Sequence, residues 1–184
     1  MDLDGIDLTT ESVRGERVLL RPFRPDDVDA VYRACQDADL QRWLTALPSP
    51  YTREAAVEFV TGIAPRGRAA GTDLGCAVEV DGELVGACGA HHLTTGRLGP
   101  EIGYWMAPSA RRRGYAAEAA RSLADWALGR GAPRVHLFTD VDNAASQSVA
   151  VRAGFTAEGT VRGCLDYRDG SRVDAVLFGR VAGD

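Results

Sequence analysis

The chain has 184 residues, of which 45% are hydrophobic, enough for one sizeable core within the usual size of a single domain. Its 26 acidic residues outnumber 21 basic ones for a formal net charge of -5, the wrong sign for a dedicated nucleic-acid binder. All 21 basic residues are arginine, which excludes Schiff-base chemistry on a lysine amine and any phosphate loop built on a G-K-[ST] lysine.

Residues 1–16 read as an acidic, loosely held leader, with Asp2, Asp4, Asp7 and Glu11 and no apolar run, so neither a signal peptide nor a membrane anchor is expected and the protein is read as cytoplasmic. The remainder, 17–184, is read as one domain. Arg17 to Pro22 is a short apolar run closed by proline, a first strand. Val28, Val31, Tyr32 and Cys35 then recur at helical spacing behind Pro25-Asp26-Asp27, and Thr52 is placed to cap a second helix that stops near Gly62 and Pro65. Asp73 to Val80 and Glu83 to Ala90 flank Asp81-Gly82 as a hairpin, and Glu101 to Met106, ended by Pro108, is a fourth strand. From Gly114 the period turns helical, with Ala116, Ala120, Leu123 and Ala127 on one stripe, widened by Ala117, Ala124 and Leu128. Arg134 to Asp140 is a fifth strand, Ala144 to Arg152 a short helix begun at Asn143, and Phe155 to Val161 and Arg172 to Arg180 a closing antiparallel pair. The order is mixed α+β, with one β-α-β crossover from the fourth strand to the fifth. Cys35, Cys76, Cys88 and Cys164 have no metal-ligand spacing, so they read as small apolar groups in a reducing compartment and no metal is expected.

The stretch with the most chemistry is Met106 to Ala117, where Arg111-Arg112-Arg113-Gly114-Tyr115-Ala116-Ala117 joins a strand to the Ala-rich helix. A helix start has N–H groups without intrahelical partners and a partial positive charge, so it suits phosphate. By itself this run also fits a solvated loop. Its R-x-x-G-x-A pattern (Arg111, Gly114, Ala116) resembles the acyl-CoA pyrophosphate signature of the GNAT N-acetyltransferases. Asn143, Ser146, Val149 and Gly154-Phe155, followed by Glu158-Gly159, are similar to the RimJ/RimL-like branch, which acetylates protein N-termini and other amines. Arg17 to Pro22 and Glu101 to Trp105 resemble that branch's opening and fourth strands, so the resemblance spans Glu16 to Arg180.

The resemblance implies a single GNAT-like domain: a central, mostly antiparallel six- to seven-stranded sheet, splayed between strands four and five and flanked by about four helices. It implies acetyl-CoA as co-substrate, a primary amine as acceptor, and direct attack in a ternary complex. The N–H groups of Arg113, Gly114, Tyr115, Ala116 and Ala117 would cradle the pyrophosphate, with Arg111 or Arg112 adding cationic donors. Met106 and Ala107 would bind the pantetheine arm by their backbones, and the Met106 N–H would polarise the thioester carbonyl. Asn143 is either an N-cap or a pantetheine contact, and Ser146 either an ordinary first-turn serine or the donor to the leaving thiolate. Glu101 is the first candidate for the base that deprotonates the amine, with Asp166 and Glu158 as alternatives, while His91-His92 suits a surface or turn role. Many family members carry a tyrosine as general acid four residues before the Gly-Phe pair; here Ala150 stands there.

The acceptor stays open between a peptide N-terminus, an antibiotic amine, a polyamine and a small metabolite amine, shaped by loops about Trp43 to Pro50 and Ile63 to Gly71. Succinyl transfer, with Arg97 or Arg162 pairing the carboxylate, and a non-catalytic CoA-binding sensor are the alternatives. Nucleic-acid and membrane partners are not expected. A homodimer is left open, with Trp43 and Tyr51 as candidates for an apolar patch.

Overall fold

In the computed structural model, which describes residues 1–96 and 98–184, the chain opens with Val13–Arg14 (β1) paired antiparallel to Leu19–Arg21 (β2). β1 lies inside the expected leader and is too short for a hydrophobic period to reveal it. The leader rests against the body: Leu8 is buried, the Asp2 N–H donates to the Arg130 carbonyl, and the buried Arg68 guanidinium donates to the carbonyls of Leu8 and Glu11.

Pro25–Asp27 forms one 3-10 turn before Val28–Ala34 (α1), whose Val28 and Val31 face inward. A helix not foreseen, Ala38–Trp43 (α2), follows, capped by Asp37, which accepts from the Leu40 N–H at 3.0 Å. Thr52 caps Arg53–Glu58 (α3) as expected, accepting from the Ala55 N–H at 3.2 Å. This helix does not stop near Gly62. It widens into a π turn, Phe59–Ile63, and resumes as Ala64–Ala69 (α4). The Ala64 N–H reaches back to the Phe59 carbonyl, so the hydrogen-bond register changes immediately before Pro65, the residue with no N–H to give. The stretch expected to be a pocket loop, Ile63 to Gly71, is therefore mostly helix.

Leu74–Val80 (β3), Glu83–His91 (β4) and Glu101–Met106 (β5) form an antiparallel meander, with Asp81 and Gly82 at φ 52 and 82 in its first turn. Tyr115–Gly129 (α5) crosses to Arg134–Asp140 (β6), and Ala144–Arg152 (α6), Thr156–Asp166 (β7) and Arg172–Val181 (β8) complete the chain. The sheet order is β1-β2-β3-β4-β5-β6-β8-β7, eight strands among the described residues where six or seven were expected. β7 runs past Val161 to Asp166 because shifts at Ala157/Gly159 and Val161/Leu165 keep it in step with β8.

Alternation along β5 defines the two faces. Ile102 and Met106 are buried in the cluster built on α5, where Ala119, Ala120, Leu123, Ala124 and Ala127 bring the helix close to the sheet. Each large apolar side chain sealed there, such as Leu123, contributes about 2 kcal/mol. Trp105 points to the opposite face, against the cluster that contains Val28, Val31, Ala56 and Val60. β5 and β6 are parallel and meet only at Glu101 and His136, so the sheet splays open toward Met106, as the resemblance implied.

Candidate active site

After β5 the chain makes a 3-10 turn, Pro108–Ala110, passes Arg112 at φ 63 and reaches Gly114 at φ 85, the N-cap position of α5. No side chain caps this helix, which leaves its first N–H groups to outside acceptors. A Cβ on Gly114 would meet only the Arg17 Nη2, at 3.3 Å, so the backbone here is open. Beside it lies a hollow of about 310 Å³ lined by Glu16, Arg17, Gly114, Ala117, Glu118, Arg121 and Arg152. Glu118 fixes one wall: its carboxylate accepts from the backbone N–H groups of Arg17 and Val18 and pairs with the Arg17 guanidinium at 2.8 Å. Against the upward push of burial, those donors hold the Glu118 carboxyl below the usual range.

The expected cationic donors are distributed differently. Arg111 is turned away, its guanidinium bridging Asp37 and Asp39 at the start of α2, while Arg112 and Arg113 stay exposed near the cradle. Arg17, Arg121 and Arg152 stand there instead, brought together from three separate parts of the chain.

Backbone direction settles which groups face the splay. The Ala107 N–H donates to the Val85 carbonyl of β4 at 2.9 Å, and alternation then turns the N–H and C=O of Tyr104 and Met106 toward the gap left by β6. The Ala107 N–H is thus spent on the sheet, contrary to the pantetheine contact expected of it, whereas the Met106 N–H faces the gap. From across the gap, the Asn143 Oδ1 caps α6 by accepting the Ser146 N–H at 3.0 Å. The Tyr104 hydroxyl lies 3.1 Å from Ser146 Oγ and donates to the Ser146 carbonyl at 3.1 Å. Burial pushes the Tyr104 phenol up to about 12, so it keeps its proton at neutral pH. Sequence reasoning placed Tyr104 in a strand motif and missed this pairing, which the topology makes; Ala150, where the family tyrosine is lacking, is fully buried.

On the other face, Glu101 stands at the closed end of the splay, half-exposed, with its Oε2 3.9 Å from His136 Nε2. Burial lowers the His136 pKa against the pull of Glu101, and His136 Nδ1 is buried without a hydrogen-bond partner among the described residues. The alternative bases are engaged elsewhere: Asp166 pairs with Arg172 at 2.7 Å and Glu158 with Arg134 at 2.7 Å. Arg162 is exposed on β7, and Arg97 lies outside the described residues. Arg168, in the β7–β8 turn, donates to the carbonyls of Gln41, Leu44 and Leu47, tying that hairpin to the end of α2 and the loop after it. Tyr51 is buried among Val28, Val31 and Ala56 and cannot contribute to a surface patch; Trp43 stacks under the Arg42 guanidinium, 4.3 Å from the ring centroid.

A mixed sheet splayed at the only parallel junction among the described residues, with an uncapped, glycine-led helix N-terminus at the open end, defines an acyl-CoA-dependent transferase. The family model of the acetyltransferase (GNAT) domain matches residues 17–156, and the chain belongs to that family. It is 27% identical over 166 residues to the putative ribosomal N-acetyltransferase YdaF of Bacillus subtilis, covering 89% of this chain and 90% of that one. Among solved structures, Mycobacterium smegmatis RimJ in complex with CoA-disulfide superposes with a TM-score of 0.81 at 26% identity, covering 94% of this chain and 88% of that one. A Salmonella typhimurium acetyltransferase that modifies the N-terminal serine of ribosomal protein L7/L12 shares the fold, with a TM-score of 0.80 at 24% identity over 93% and 99% of the two chains. No helix among the described residues is long and apolar enough to cross a membrane.

Proposed function

We propose that this N-acetyltransferase moves an acetyl group from acetyl-CoA to a primary amine, with a peptide N-terminus as the acceptor class, by direct attack in a ternary complex. The observation that carries this is the opening between β5 and β6, which has the uncapped N-terminus of α5 at one end and the Tyr104–Ser146 hydroxyl pair beside it. The N–H groups of Arg113 to Ala117, with Arg112 and Arg113 and the Arg17, Arg121 and Arg152 hollow, would hold the pyrophosphate and 3′-phosphate. The thioester supplies an activated acyl carbon, which the Met106 N–H would polarise. Asn143, its oxygen committed to the cap, retains its carboxamide N–H groups for the pantetheine arm. Glu101 would draw the incoming ammonium to the face opposite α5. The peptide class is supported by the name of YdaF, a putative ribosomal N-acetyltransferase.

Thiol release from acetyl-CoA and from succinyl-CoA, followed with N-terminal peptides, polyamines and aminoglycosides against protein-free blanks, tests the reading. Sustained, peptide-dependent turnover with acetyl-CoA is the expected result; coenzyme binding without turnover on any amine would leave a CoA sensor instead. Tyr104→Phe should lower kcat on the order of tenfold with little change in the KM for acetyl-CoA, because a thiolate leaves readily and needs less protonation than most leaving groups. An unchanged kcat would remove the hydroxyl pair from the mechanism.

A further inference from the structure

Two neighbouring rows of residues cross the face opposite α5. In the first, Gly75, Gly89 and Gly103 are aligned across β3, β4 and β5 by register. None of the three has positive φ, so backbone conformation does not require glycine there, and only at Gly89 would a Cβ crowd a neighbour, the His91 ring. In the second row, Asp73, just before β3, neighbours His91 on β4, which is paired with Glu101 on β5, which is paired with His136 on β6. Gly89 makes room for an imidazole, and Gly103 leaves the next strand open beneath it. His91 Nε2 lies 2.7 Å from the point a Cβ on Gly89 would occupy and 3.6 Å from that of Gly103, so the ring leans over both strands.

The ring is oriented as well as accommodated. His91 Nδ1 is 3.0 Å from Asp73 Oδ1, and the Thr72 hydroxyl donates to Asp73 Oδ2 at 2.6 Å. Against burial, these two donors hold the Asp73 carboxyl below its usual range, so it is an ionised acceptor at neutral pH. In the neutral ring Nδ1 then carries the proton and Nε2 the lone pair, and Nε2 has no hydrogen-bond partner among the described residues. The two imidazoles of the row differ in access: the His136 side chain is 7% exposed, that of His91 43%. Among the described residues, other charged and titratable groups near the row are Arg134, which acts on His136, and, beyond Glu101, Cys164 with Asp166 and Arg172 from the β7–β8 hairpin. Arg66 and Arg68 of α4 are turned to Glu58 and to the leader, and His92 follows in the turn at φ 57.

We propose that His91 Nε2, positioned by Asp73, is the proton acceptor for the attacking amine, in place of the surface role its sequence suggests. This rests on the acyl-transfer reading above. The ammonium, drawn in by Glu101, gives one proton to Nε2, and the imidazolium shares its other proton with Asp73. The freed nitrogen pair forms the C–N bond as the C–S bond breaks, and the second nitrogen proton passes to the departing thiolate through the Tyr104–Ser146 hydroxyls. The proton on His91 then returns to solvent. Imidazole is the side chain whose ordinary titration lies nearest neutral pH, which suits this exchange better than a carboxylate.

The test compares wild type with His91→Gln, Asp73→Asn and Gly89→Ala. The last keeps the imidazole but displaces its ring. With acetyl-CoA and the best peptide acceptor, all three should lose about tenfold or more in kcat at pH 7, keep the CoA affinity of wild type by calorimetry, and recover toward wild type by pH 9.5, where more of the amine is already neutral. If wild type turns over and His91→Gln retains its rate and the acidic limb of its pH profile, the assignment of His91 is overturned while the acyltransferase reading stands. If wild type binds CoA but acylates no amine, both fall.

Discussion

Replacing Gly114 by aspartate should lower the affinity for CoA by at least about 100-fold, near 2.7 kcal/mol, while leaving the fold in place. At φ 85 any side chain is strained, but aspartate tolerates the left-handed region better than most and is a favoured N-cap type, so the cost to α5 stays at about 1–2 kcal/mol. Its carboxylate would enter the hollow shared by Arg17, Arg121 and Arg152, next to the uncapped N–H groups of α5. A fixed negative charge would then occupy the place where the phosphates must bind and would repel them. Gly114→Ala isolates the backbone effect: its Cβ meets only Arg17 Nη2 at 3.3 Å, and its affinity should fall between those of wild type and the aspartate variant. Calorimetry with CoA reads both variants, and thermal unfolding confirms that they are folded. Unchanged affinity in Gly114→Asp would show that the phosphates bind elsewhere.

Much of this cradle was legible in the sequence because its residues are contiguous. The strand, Pro108, the arginines and Gly114 read as a strand-to-helix junction before any coordinates, and β6 and α6 have the expected limits, Arg134–Asp140 and Ala144–Arg152. Features that depend on register or on distant partners were hidden. Arg111 could not be seen to serve Asp37 because the acid that recruits it lies on a helix too short to give a period. Arg17, Arg121 and Arg152 converge only through packing, and the Tyr104–Ser146 contact exists only because the crossover sets β6 and the helix after it beside β5. The glycines at 75, 89 and 103 are scattered letters until strand pairing aligns them, and only then is His91 distinguishable from an ordinary turn histidine. The missing lysines, by contrast, cost the proposed mechanism nothing: the groups proposed to bind phosphate are backbone N–H and guanidinium donors.

The other large effect concerns the buried ion pair that joins β2 to the start of α1. Arg21, at the end of β2, is buried and forks onto Asp27, with Nη1 to Oδ2 at 2.7 Å and Nη2 to Oδ1 at 2.9 Å, while its Nε donates to Glu79 on β3 at 2.5 Å. Asp27 also accepts the Arg24 N–H at 2.7 Å, so one carboxylate joins the sheet to the turn that starts α1. Asp27→Ala would leave the Arg21 charge buried with Glu79 as its remaining acid, a loss of about 3–5 kcal/mol and a fall in Tm on the order of 10 °C. The pH dependence follows from the direction of the shift. Burial pushes the Asp27 carboxyl up, but Arg21 and the Arg24 N–H outweigh it and hold the folded pKa below the unfolded one. Its stabilising contribution is therefore complete above the unfolded value of about 4 and is lost as pH falls through the lower folded value. Wild-type Tm should drop steeply below about pH 4, and Asp27→Ala should be less stable at neutral pH with a shallower acid decline. Some decline will remain, because Asp37, Asp73 and Glu118 are also held below their ordinary ranges. Thermal melts of both proteins from pH 3 to 7 measure this directly, and parallel acid limbs would show that Asp27 is not the carboxylate that couples folding to pH.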